Sequence, residues 1–565
     1  MKGTIAVKGM AMADVYPVCE IKGNIRAQKM EDVEVELKKL DEAKKGCMES
    51  LTRLIEKLQN ETDKESAEIL DFQLLLLEDD NYFGAIREIV KAQKVNCEYA
   101  IVSRSESYRS ELAALDNPYL NERTADITDL ERRLLNVLSG GMEHDMEDGS
   151  WIVAAEDLTP SQVVELGKKR LKGIILEKGG LSSHCVILAR SMNIPCMIGV
   201  KGALGKMKKG EKVLLDCIDG EVIIRPDKEA LKKYLDYCEK MDEEKADLER
   251  FKHRETKTKD GKDMKVYANI SSETEIEELK NQGGEGVGLM RTEMLYMERN
   301  KAPDEETQYQ IYSKIAKELE KDPLIIRTLD VGGDKHISYL NIPAEDNPFL
   351  GYRAIRYCLD HPEIFKSQLS AILRAGVCGT VKMMIPMVSD LSEIKRTRDM
   401  IDEVKQELDM AGIKHGDVAV GMMVETPSAA VMADRFAKVV DFFSIGTNDL
   451  TQYLFAADRN NEKVASLNSY YHPALLRMID HISRCAHENE IEVDICGQAG
   501  EVEELIPLWV GMEIDNLSVS IPSIPRVRRA ISCCSFEKCR ELVKQVLHFS
   551  SDKEVIKFMR EEKTK

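Results

Sequence analysis

From Met264 to the end of the chain, apolar strand-like runs alternate regularly with helical segments, and no other feature restricts the possible folds as strongly. Each run is short and is followed by a segment with helical periodicity. The strand candidates are Lys265–Asn269, Gly286–Met290, Leu324–Leu329, Val381–Ile385, Val418–Val424, Asp441–Ile445, Ile491–Ile495 and Ile514–Val519. Eight strand–helix units within about 300 residues predict a (β/α)8 (TIM) barrel.

Polar and charged residues follow several of these strands directly. In a barrel of this kind the chemistry lies at the carboxyl ends of the strands, so these residues are expected to meet at one face. The residues concerned are Arg291, Arg327, Lys335, Glu425, Asn448, Asp449, Arg459 and Cys496. Taken alone, a charged residue of this kind more often forms a surface ion pair, and a cysteine is more often a thiol packed in the core. Their shared placement at five strand ends predicts a site.

The residue types at these strand ends suit an anionic substrate and a hard cation. The three arginines could each grip phosphate or carboxylate oxygens with two parallel hydrogen bonds. Glu425 and Asp449 come from successive strands and could bind one cation, for which Mg²⁺ is the first choice. Cys496 could donate or accept a proton. A metal beside several arginines favours phosphoryl transfer from a phosphorylated substrate.

A second candidate site lies in the stretch GGLSSHCVILARSMNIPCMIGV, which spans 179–200 and centres on His184. The two glycines predict a sharp turn, and Ser182 or Ser183 could then cap a helix that Asn193-Ile194-Pro195 ends. His184 would lie in the first helical turn, where a phosphate attached to it would meet free backbone N–H groups. A lone histidine more often caps or packs a helix, but this setting favours a transiently phosphorylated side chain.

The rest of the chain divides by its pattern of apolar residues into an α/β region, a helical region and a connector. Short strands are predicted in 1–23 and again in 143–225, and together they indicate one α/β domain. The intervening 24–142 has helical periodicity and predicts an inserted bundle of about four helices, which serves as a structural domain or as a docking surface. A single charged helix is predicted over 226–259, with 260–565 left for the barrel.

Composition excludes several classes of protein. The 565-residue length suggests roughly three or four domains. A net charge of −20 argues against a nucleic-acid binder. The 14 cysteines show no paired framework and the start of the chain no signal peptide, so we expect reduced thiols in the cytoplasm. No apolar run of about 20 residues is present, so no membrane span is expected.

Taken with these motifs, the chain resembles enzyme I of the bacterial sugar phosphotransferase system, the phosphoenolpyruvate-protein phosphotransferase family. The likeness runs nearly from end to end and is carried by several specific stretches. These are GGLSSHCVILARS, GVGLMRTEMLYM, IRTLDVGGDK, NPFLGYRAIR, MMVETPSAA, DFFSIGTNDLTQY and the Cys-Gly of DICGQAG. Relatives such as pyruvate phosphate dikinase share the phosphohistidine and barrel motifs but also carry a large ATP-binding domain, for which this chain has no room.

The resemblance implies a role for each matching residue. His184 would take the phosphoryl group through Nε2, and Cys496 would protonate the enolate carbon to give pyruvate. Glu425 and Asp449 would hold Mg²⁺. Phosphoenolpyruvate would be bound by Arg291, Arg327, Lys335, Arg353, Asn448, Asp449 and Arg459.

The same resemblance implies partners and a motion. The helical insertion would dock the histidine phosphocarrier protein HPr, and the barrel would form a homodimer. His184 and the barrel face are predicted in separate domains, whereas phosphoryl transfer needs near-contact geometry. The α/β domain is therefore expected to swing about the connecting helix.

Some positions depart from the family pattern and keep alternatives open. Gln498 stands where the family usually has Glu, Leu181 replaces an expected Arg, and the usual Thr-Ser-His is Ser182-Ser183-His184. Lys8-Gly9-Met10-Ala11 occupies the region of an N-terminal Ser-Pro-Gly signature. These changes would also fit a divergent paralogue that binds phosphoenolpyruvate for regulation or serves a specialised carrier. A carbon–carbon lyase on the same barrel is disfavoured, because a lyase has no use for a phosphohistidine domain.

Overall fold

The fold was analysed in a computed structural model of the chain. The residues described are 1–18, 25–30, 32–60, 64–113, 118–138, 149–158, 163, 170–180, 183–297, 299–333, 335, 337–343, 345–459, 461 and 463–563. The chain forms two compact units, Met1–Asp242 and Glu243–Lys565, and each is described by itself.

The first unit is built on a seven-stranded mixed sheet. Its strands are β1 (Thr4–Val7), β2 (Met10–Val18), β3 (Trp151–Ala155), β4 (Leu171–Leu176), β5 (Cys196–Ile198), β6 (Lys212–Asp216) and β7 (Glu221–Ile224). They lie in the order β1-β5-β4-β3-β2-β6-β7, and the central strands β2, β3, β4 and β5 are parallel. The N-terminal strands thus complete the sheet, as the sequence predicts.

In the chain, a set of helices (the helical layer) is inserted between β2 and β3, which are paired neighbours in the sheet. It comprises α1 (Val33–Asn60), α2 (Lys64–Glu78), a π-helix (Asp80–Gly84), α3 (Ala85–Gln93), α4 (Cys97–Ala113) and α5 (Pro118–Leu138). The sequence predicts about four helices, with one run continuing from residue 81 to 102. That run is broken because Lys94 adopts a left-handed conformation (φ 52°) after α3. The layer has its own apolar core, which includes Leu40, Leu51 and Ile127.

The described residues between β3 and the barrel contain three further named helices, α6 (His184–Ser191), α7 (Ala203–Lys206) and α8 (Lys228–Glu249). The prediction of one helix up to Lys259 is wrong, because the chain beyond Glu249 is tied to the barrel by side-chain hydrogen bonds. The Thr256 hydroxyl donates to Glu285 (2.7 Å) and accepts from Arg528 Nε (2.8 Å). The lysine-rich stretch 252–263 has no helix and is mostly exposed, which agrees with the exposed loop that its sequence indicates, although Thr256 and Thr258 within it are buried.

The second unit is a closed barrel of eight parallel strands. They are β8 (Lys265–Ile270), β9 (Val287–Arg291), β10 (Leu324–Arg327), β11 (Val381–Ile385), β12 (Ala419–Val424), β13 (Phe442–Gly446), β14 (Glu492–Cys496) and β15 (Asn516–Ser520). Each strand pairs with its neighbours in chain order, and β15 pairs with β8 to close the barrel. The predicted (β/α)8 fold is confirmed.

Helices surround the barrel. They are α9 (Ile276–Asn281), α10 (Glu293–Met297), α11 (Glu305–Leu319), α12 (Ile355–Asp360), α13 (Pro362–Ala375), α14 (Leu391–Met410), α15 (Pro427–Val431), α16 (Ala433–Phe436), α17 (Thr447–Phe455), α18 (Pro473–Glu488), α19 (Ile506–Gly511), α20 (Ile524–Cys533), α21 (Phe536–Val546) and α22 (Asp552–Lys563). Short 3-10 turns lie at Glu273–Glu275, Ser338–Leu340, Pro348–Leu350, Ala465–Leu467, Gln498–Glu501 and Ile521–Ser523. Several helix starts follow from local sequence. Asp390 and Glu393, for example, form a capping box at α14.

The cysteines fit the expectation of reduced thiols as far as the structure describes them. The 13 cysteines within the described ranges are all free. In the same part of the chain, no helix combines the length and the apolar character needed to cross a bilayer. The predicted domain boundaries at 23/24, 142/143, 225/226 and 259/260 stay predictions.

Candidate active site

The barrel mouth contains a polar cavity of about 190 Å³ at the carboxyl ends of the strands. The barrel residues that sequence analysis singles out all line it: Arg291, Arg327, Lys335, Arg353, Glu425, Asn448, Asp449, Arg459 and Cys496. Four of them end or directly follow strands β9, β10, β12 and β14, which converge at this face. The barrel therefore brings together residues that lie up to 205 positions apart in sequence, from Arg291 to Cys496.

Two acidic residues hold the cationic side chains in place, and sequence analysis assigned neither of them a role. Glu293 Oε1 accepts hydrogen bonds from Arg327 Nη2 (2.6 Å) and Lys335 Nζ (2.8 Å). Asp330 Oδ2 lies 3.1 Å from Arg327 Nη1 and 2.9 Å from Lys335 Nζ. Arg327, Glu293 and Asp330 are buried, so each charge needs these partners. That requirement is the sequence signal that could have identified the two acids.

The cations determine the charge state of these carboxyls. Burial by itself would raise the pKa of Glu293, but Arg327 and Lys335 outweigh burial and hold that pKa below its usual value. The pKa of Asp330 is likewise held well below its usual range, because Arg327, Arg353 and Lys335 outweigh burial. Both groups are therefore carboxylates at neutral pH.

Asp449 links two further arginines across the cavity. Its Oδ2 lies 3.3 Å from Arg353 Nη2, and its Oδ1 accepts from Arg459 Nη1 at 3.0 Å. Arg353 also donates to Asp330 Oδ1 (3.0 Å) and to the hydroxyl of Tyr453 (3.1 Å). These bonds fix the planes of both guanidinium groups before any ligand enters.

Arg291 differs from the other cations of the cavity. It ends β9 and is exposed, and it forms no ion pair with any residue that the structure describes. Its guanidinium is therefore available for an incoming anion.

Glu425 is a buried carboxyl, and with Asp449 it makes up the predicted cation site. Its Oε1 accepts the Met387 N–H at 2.7 Å, and it directly precedes Thr426, whose hydroxyl caps α15. Burial raises the pKa of Glu425 to about 8, and the charges of Asp449 and Asp330 add to the shift. The raised pKa means that the negative charge of Glu425 is not fully compensated by neighbouring cations. A hard divalent cation would compensate it, and Glu425 and Asp449 offer the oxygen ligands that such cations prefer.

Cys496 ends β14 and is 2% exposed. Its Sγ lies 3.5 Å from the carbonyl oxygen of Ile445, and burial raises its pKa to about 12. The thiol is therefore protonated at neutral pH and can act as a proton donor. Gly497 follows with a φ of 100°, a conformation that favours glycine.

The backbone around His184 agrees with the predicted turn and helix. Gly179 has a φ of 109°, Ser183 takes the extended N-cap conformation, and α6 begins at His184. Ser183 makes no side-chain cap hydrogen bond, so its expected capping role is not seen. Ser182, Leu181 and the side chain of His184 lie outside what the structure describes.

Family models match most of the chain. The model described as "PEP-utilising enzyme, N-terminal" matches residues 2–123, "PEP-utilising enzyme, mobile domain" matches 147–220, and "PEP-utilising enzyme, PEP-binding domain" matches 245–536. The last of these includes every residue of the cavity.

Two curated relatives are similar over almost their whole length. The phosphoenolpyruvate-protein phosphotransferase of Bacillus subtilis (strain 168) is 39% identical over 99% of this chain and 99% of its own. The protein of the same name from Priestia megaterium is 38% identical over 99% and 98%. Among solved structures, an NMR structure of Enzyme I (nEIt) covers 43% of this chain and 99% of its own at 29% identity, with a TM-score of 0.39.

Proposed function

The chain belongs to the phosphoenolpyruvate-protein phosphotransferase family, and from that premise we propose that it transfers the phosphoryl group of phosphoenolpyruvate to its own His184. The phosphoryl group then passes to the histidine phosphocarrier protein HPr, as the first step of the sugar phosphotransferase system. The observation that carries this proposal is the barrel-mouth cavity, in which fixed cations surround a buried proton donor.

In this proposal, the cavity binds phosphoenolpyruvate through its cations and one amide. Arg291 is exposed and unpaired within the described part of the chain, so it would meet the anion first. Arg327, Lys335, Arg353 and Arg459 are already oriented by carboxylates, so they would receive the phosphate and carboxylate oxygens without reorganisation. Asn448 would add a neutral hydrogen-bond donor.

The reaction then breaks the bond between phosphorus and the enolate oxygen and forms a bond from phosphorus to His184 Nε2. The enolate that leaves takes a proton at its methylene carbon from the Cys496 thiol, and pyruvate is formed. The thiolate regains a proton from solvent, because its raised pKa disfavours the charged form.

We propose Glu425 and Asp449 as the residues that hold Mg²⁺. When bound there, the ion would offset negative charge on the substrate oxygens. Asp449 accepts from two arginines, whereas the only hydrogen bond described to Glu425 is the one from Met387 N–H, which leaves Glu425 oxygen capacity for a metal.

The remaining proposals concern the assembly. Because phosphoryl transfer needs near-contact geometry, the unit that carries His184 has to approach the barrel and then the carrier in turn. The inserted helical layer is the proposed docking surface for HPr, and the barrel is the proposed site of dimerisation.

The experiment is labelling with radioactive phosphoenolpyruvate and Mg²⁺, with and without HPr. We expect an acid-labile, base-stable label on the protein that passes to HPr. His184→Ala should abolish it, whereas His548→Ala, at an exposed histidine of the barrel unit, should not. Labelling that survives His184→Ala would refute the assignment. Binding of phosphoenolpyruvate without label or pyruvate would favour the regulatory alternative.

A further inference from the structure

The carboxamide of Asn448 is held in one orientation by two donors from outside the cavity. Its Oδ1 accepts a hydrogen bond from the Tyr470 hydroxyl (2.9 Å) and one from the Gln498 backbone N–H (3.2 Å). The oxygen and nitrogen of a carboxamide lie on opposite sides of Cγ, so Nδ2 is directed away from both donors. Nδ2 has no protein acceptor within the described ranges, and Asn448 lines the cavity. It is therefore free to donate to an anionic ligand.

Gly497 makes this close approach of the backbone possible. A Cβ at Gly497 would lie 2.8 Å from Thr447 Oγ1 and 3.1 Å from Asn448 Oδ1. Together with its φ of 100°, this crowding restricts the position to glycine. The turn after β14 is thus built against Asn448, and it places the Gln498 side chain beside Tyr470.

The phenol of Tyr470 has a single proton but two neighbours that could accept it. Its oxygen lies 2.9 Å from Asn448 Oδ1 and 3.1 Å from Gln498 Oε1. If Tyr470 donates to Asn448, residue 498 has to donate to Tyr470. A glutamine can do so once its amide is turned to exchange Oε1 for Nε2, since the hydrogen-bond network sets the amide orientation. A glutamate carboxylate cannot donate, and it would compete for the Tyr470 proton through a stronger, charge-assisted bond.

We propose that Tyr470 and Gln498 are a positioning pair that holds the Asn448 amide with its NH₂ group toward the anionic substrate. The pair requires an uncharged, donating side chain at position 498. This inference rests on the proposed function, because it assumes that the cavity binds phosphoenolpyruvate. It gives a structural consequence to Gln498, which sequence analysis recognised only as a departure from the family pattern.

The test is steady-state kinetics of pyruvate formation with Tyr470→Phe, Gln498→Glu and the double variant. Each single change removes one hydrogen bond from Asn448, so we expect KM for phosphoenolpyruvate to rise about threefold to tenfold. We expect kcat to change by less than about twofold, since neither side chain meets the reacting atoms. The double variant should show a smaller rise than the product of the two single effects, because both changes disturb the same proton.

Matched controls separate this pairing from general effects. Gln406→Glu makes the same charge change at an exposed position on α14 and should leave KM unchanged. Asn448→Ala removes the amide itself and should raise KM at least as much as either single variant. Thermal unfolding followed by tryptophan fluorescence establishes that each variant is folded.

The outcomes distinguish failure of the Tyr470–Gln498 pairing from failure of the proposed phosphotransferase function. If Asn448→Ala raises KM while Tyr470→Phe and Gln498→Glu leave it unchanged, the pairing is wrong and the function stands. Multiplying effects in the double variant would also overturn the pairing, because the two residues would then act independently. If the wild type neither binds phosphoenolpyruvate nor forms pyruvate, the proposed function fails and the pairing fails with it.

Discussion

Replacing the buried Asp494 by asparagine should stabilise the barrel unit at neutral and alkaline pH and change it little in acid. Asp494 lies on β14 inside the barrel unit and is 2% exposed. Burial raises its pKa to about 7, and the hydrogen bond from Asn516 Nδ2 to Asp494 Oδ1 (2.5 Å) opposes this only in part. Asparagine can accept the same hydrogen bond without ever carrying a charge.

The direction and size of the effect follow from linkage. In the unfolded chain an aspartate releases its proton near about pH 4, whereas Asp494 in the folded barrel keeps its proton up to about pH 7. Between these values the native state binds more protons than the unfolded state, so the free energy of unfolding falls as pH rises. A shift of about three pKa units corresponds to a loss of about 4 kcal/mol, which is complete above the folded pKa. The asparagine variant avoids that loss.

The assay uses the two tryptophans of the chain, since Trp151 lies in the first unit and Trp509 is buried in the barrel unit. In a Trp151→Phe background, Trp509 fluorescence during urea unfolding reports on the barrel alone. We expect Asp494→Asn to exceed its parent by about 1–2 kcal/mol at about pH 5 and by about 4 kcal/mol at about pH 8. Asp402→Asn, at an exposed position on α14, is the control for losing one charge. An Asp494→Asn difference that is equal at the two pH values would refute the reasoning.

Four further predictions concern the cavity. Arg291→Ala should raise KM for phosphoenolpyruvate at least about tenfold and leave the free energy of unfolding unchanged, because this arginine is exposed and unpaired within the described residues. Steady-state kinetics check the change in KM, and urea titration of the same preparation checks the stability. Arg327→Ala should instead destabilise the barrel by about 3–5 kcal/mol in urea, since two buried carboxylates, Glu293 and Asp330, each lose one of their cationic partners. Cys496→Ala should abolish pyruvate formation but retain binding of phosphoenolpyruvate, as measured by calorimetry. Removal of divalent cations with a chelator should abolish phosphoryl labelling of the wild type. The Glu425→Gln variant should then need a higher Mg²⁺ concentration than the wild type to recover labelling. Recovery of the variant at the wild-type Mg²⁺ concentration would contradict the metal assignment.

The barrel could be predicted from the sequence because its strands are continuous apolar runs at regular intervals. The predicted bounds of Val381–Ile385 match the observed ones, and the other predicted strands deviate by one or two residues at one or both ends. Once the strands are placed, the barrel rule locates their carboxyl ends at one face, so Arg291, Glu425 and Cys496 could be grouped without coordinates.

Other features depend on tertiary contacts that no local pattern contains. Glu293 and Asp330 were visible in the sequence beside candidate residues, but which cation each one meets depends on how the loops after β9 and β10 fold. The connector past Glu249 has a helical pattern, and it is nevertheless not helical because Thr256 is held by Arg528, 272 positions away. Tyr470 likewise gives no signal, since its partners come from the first turn of α17 and from the 3-10 turn after β14.

The charges that line the cavity have separable tasks. Five cationic and four acidic side chains line it, and only Arg291 among the cations has no carboxylate partner within the described residues. The paired cations need not be ordered when a ligand binds, so binding avoids the entropy cost of fixing long side chains. Each of them nevertheless shares its charge between an internal carboxylate and the ligand. Net attraction for a multiply charged anion must therefore come mainly from Arg291 and from the cation that we propose at Glu425 and Asp449, whereas the ion-paired residues supply geometry.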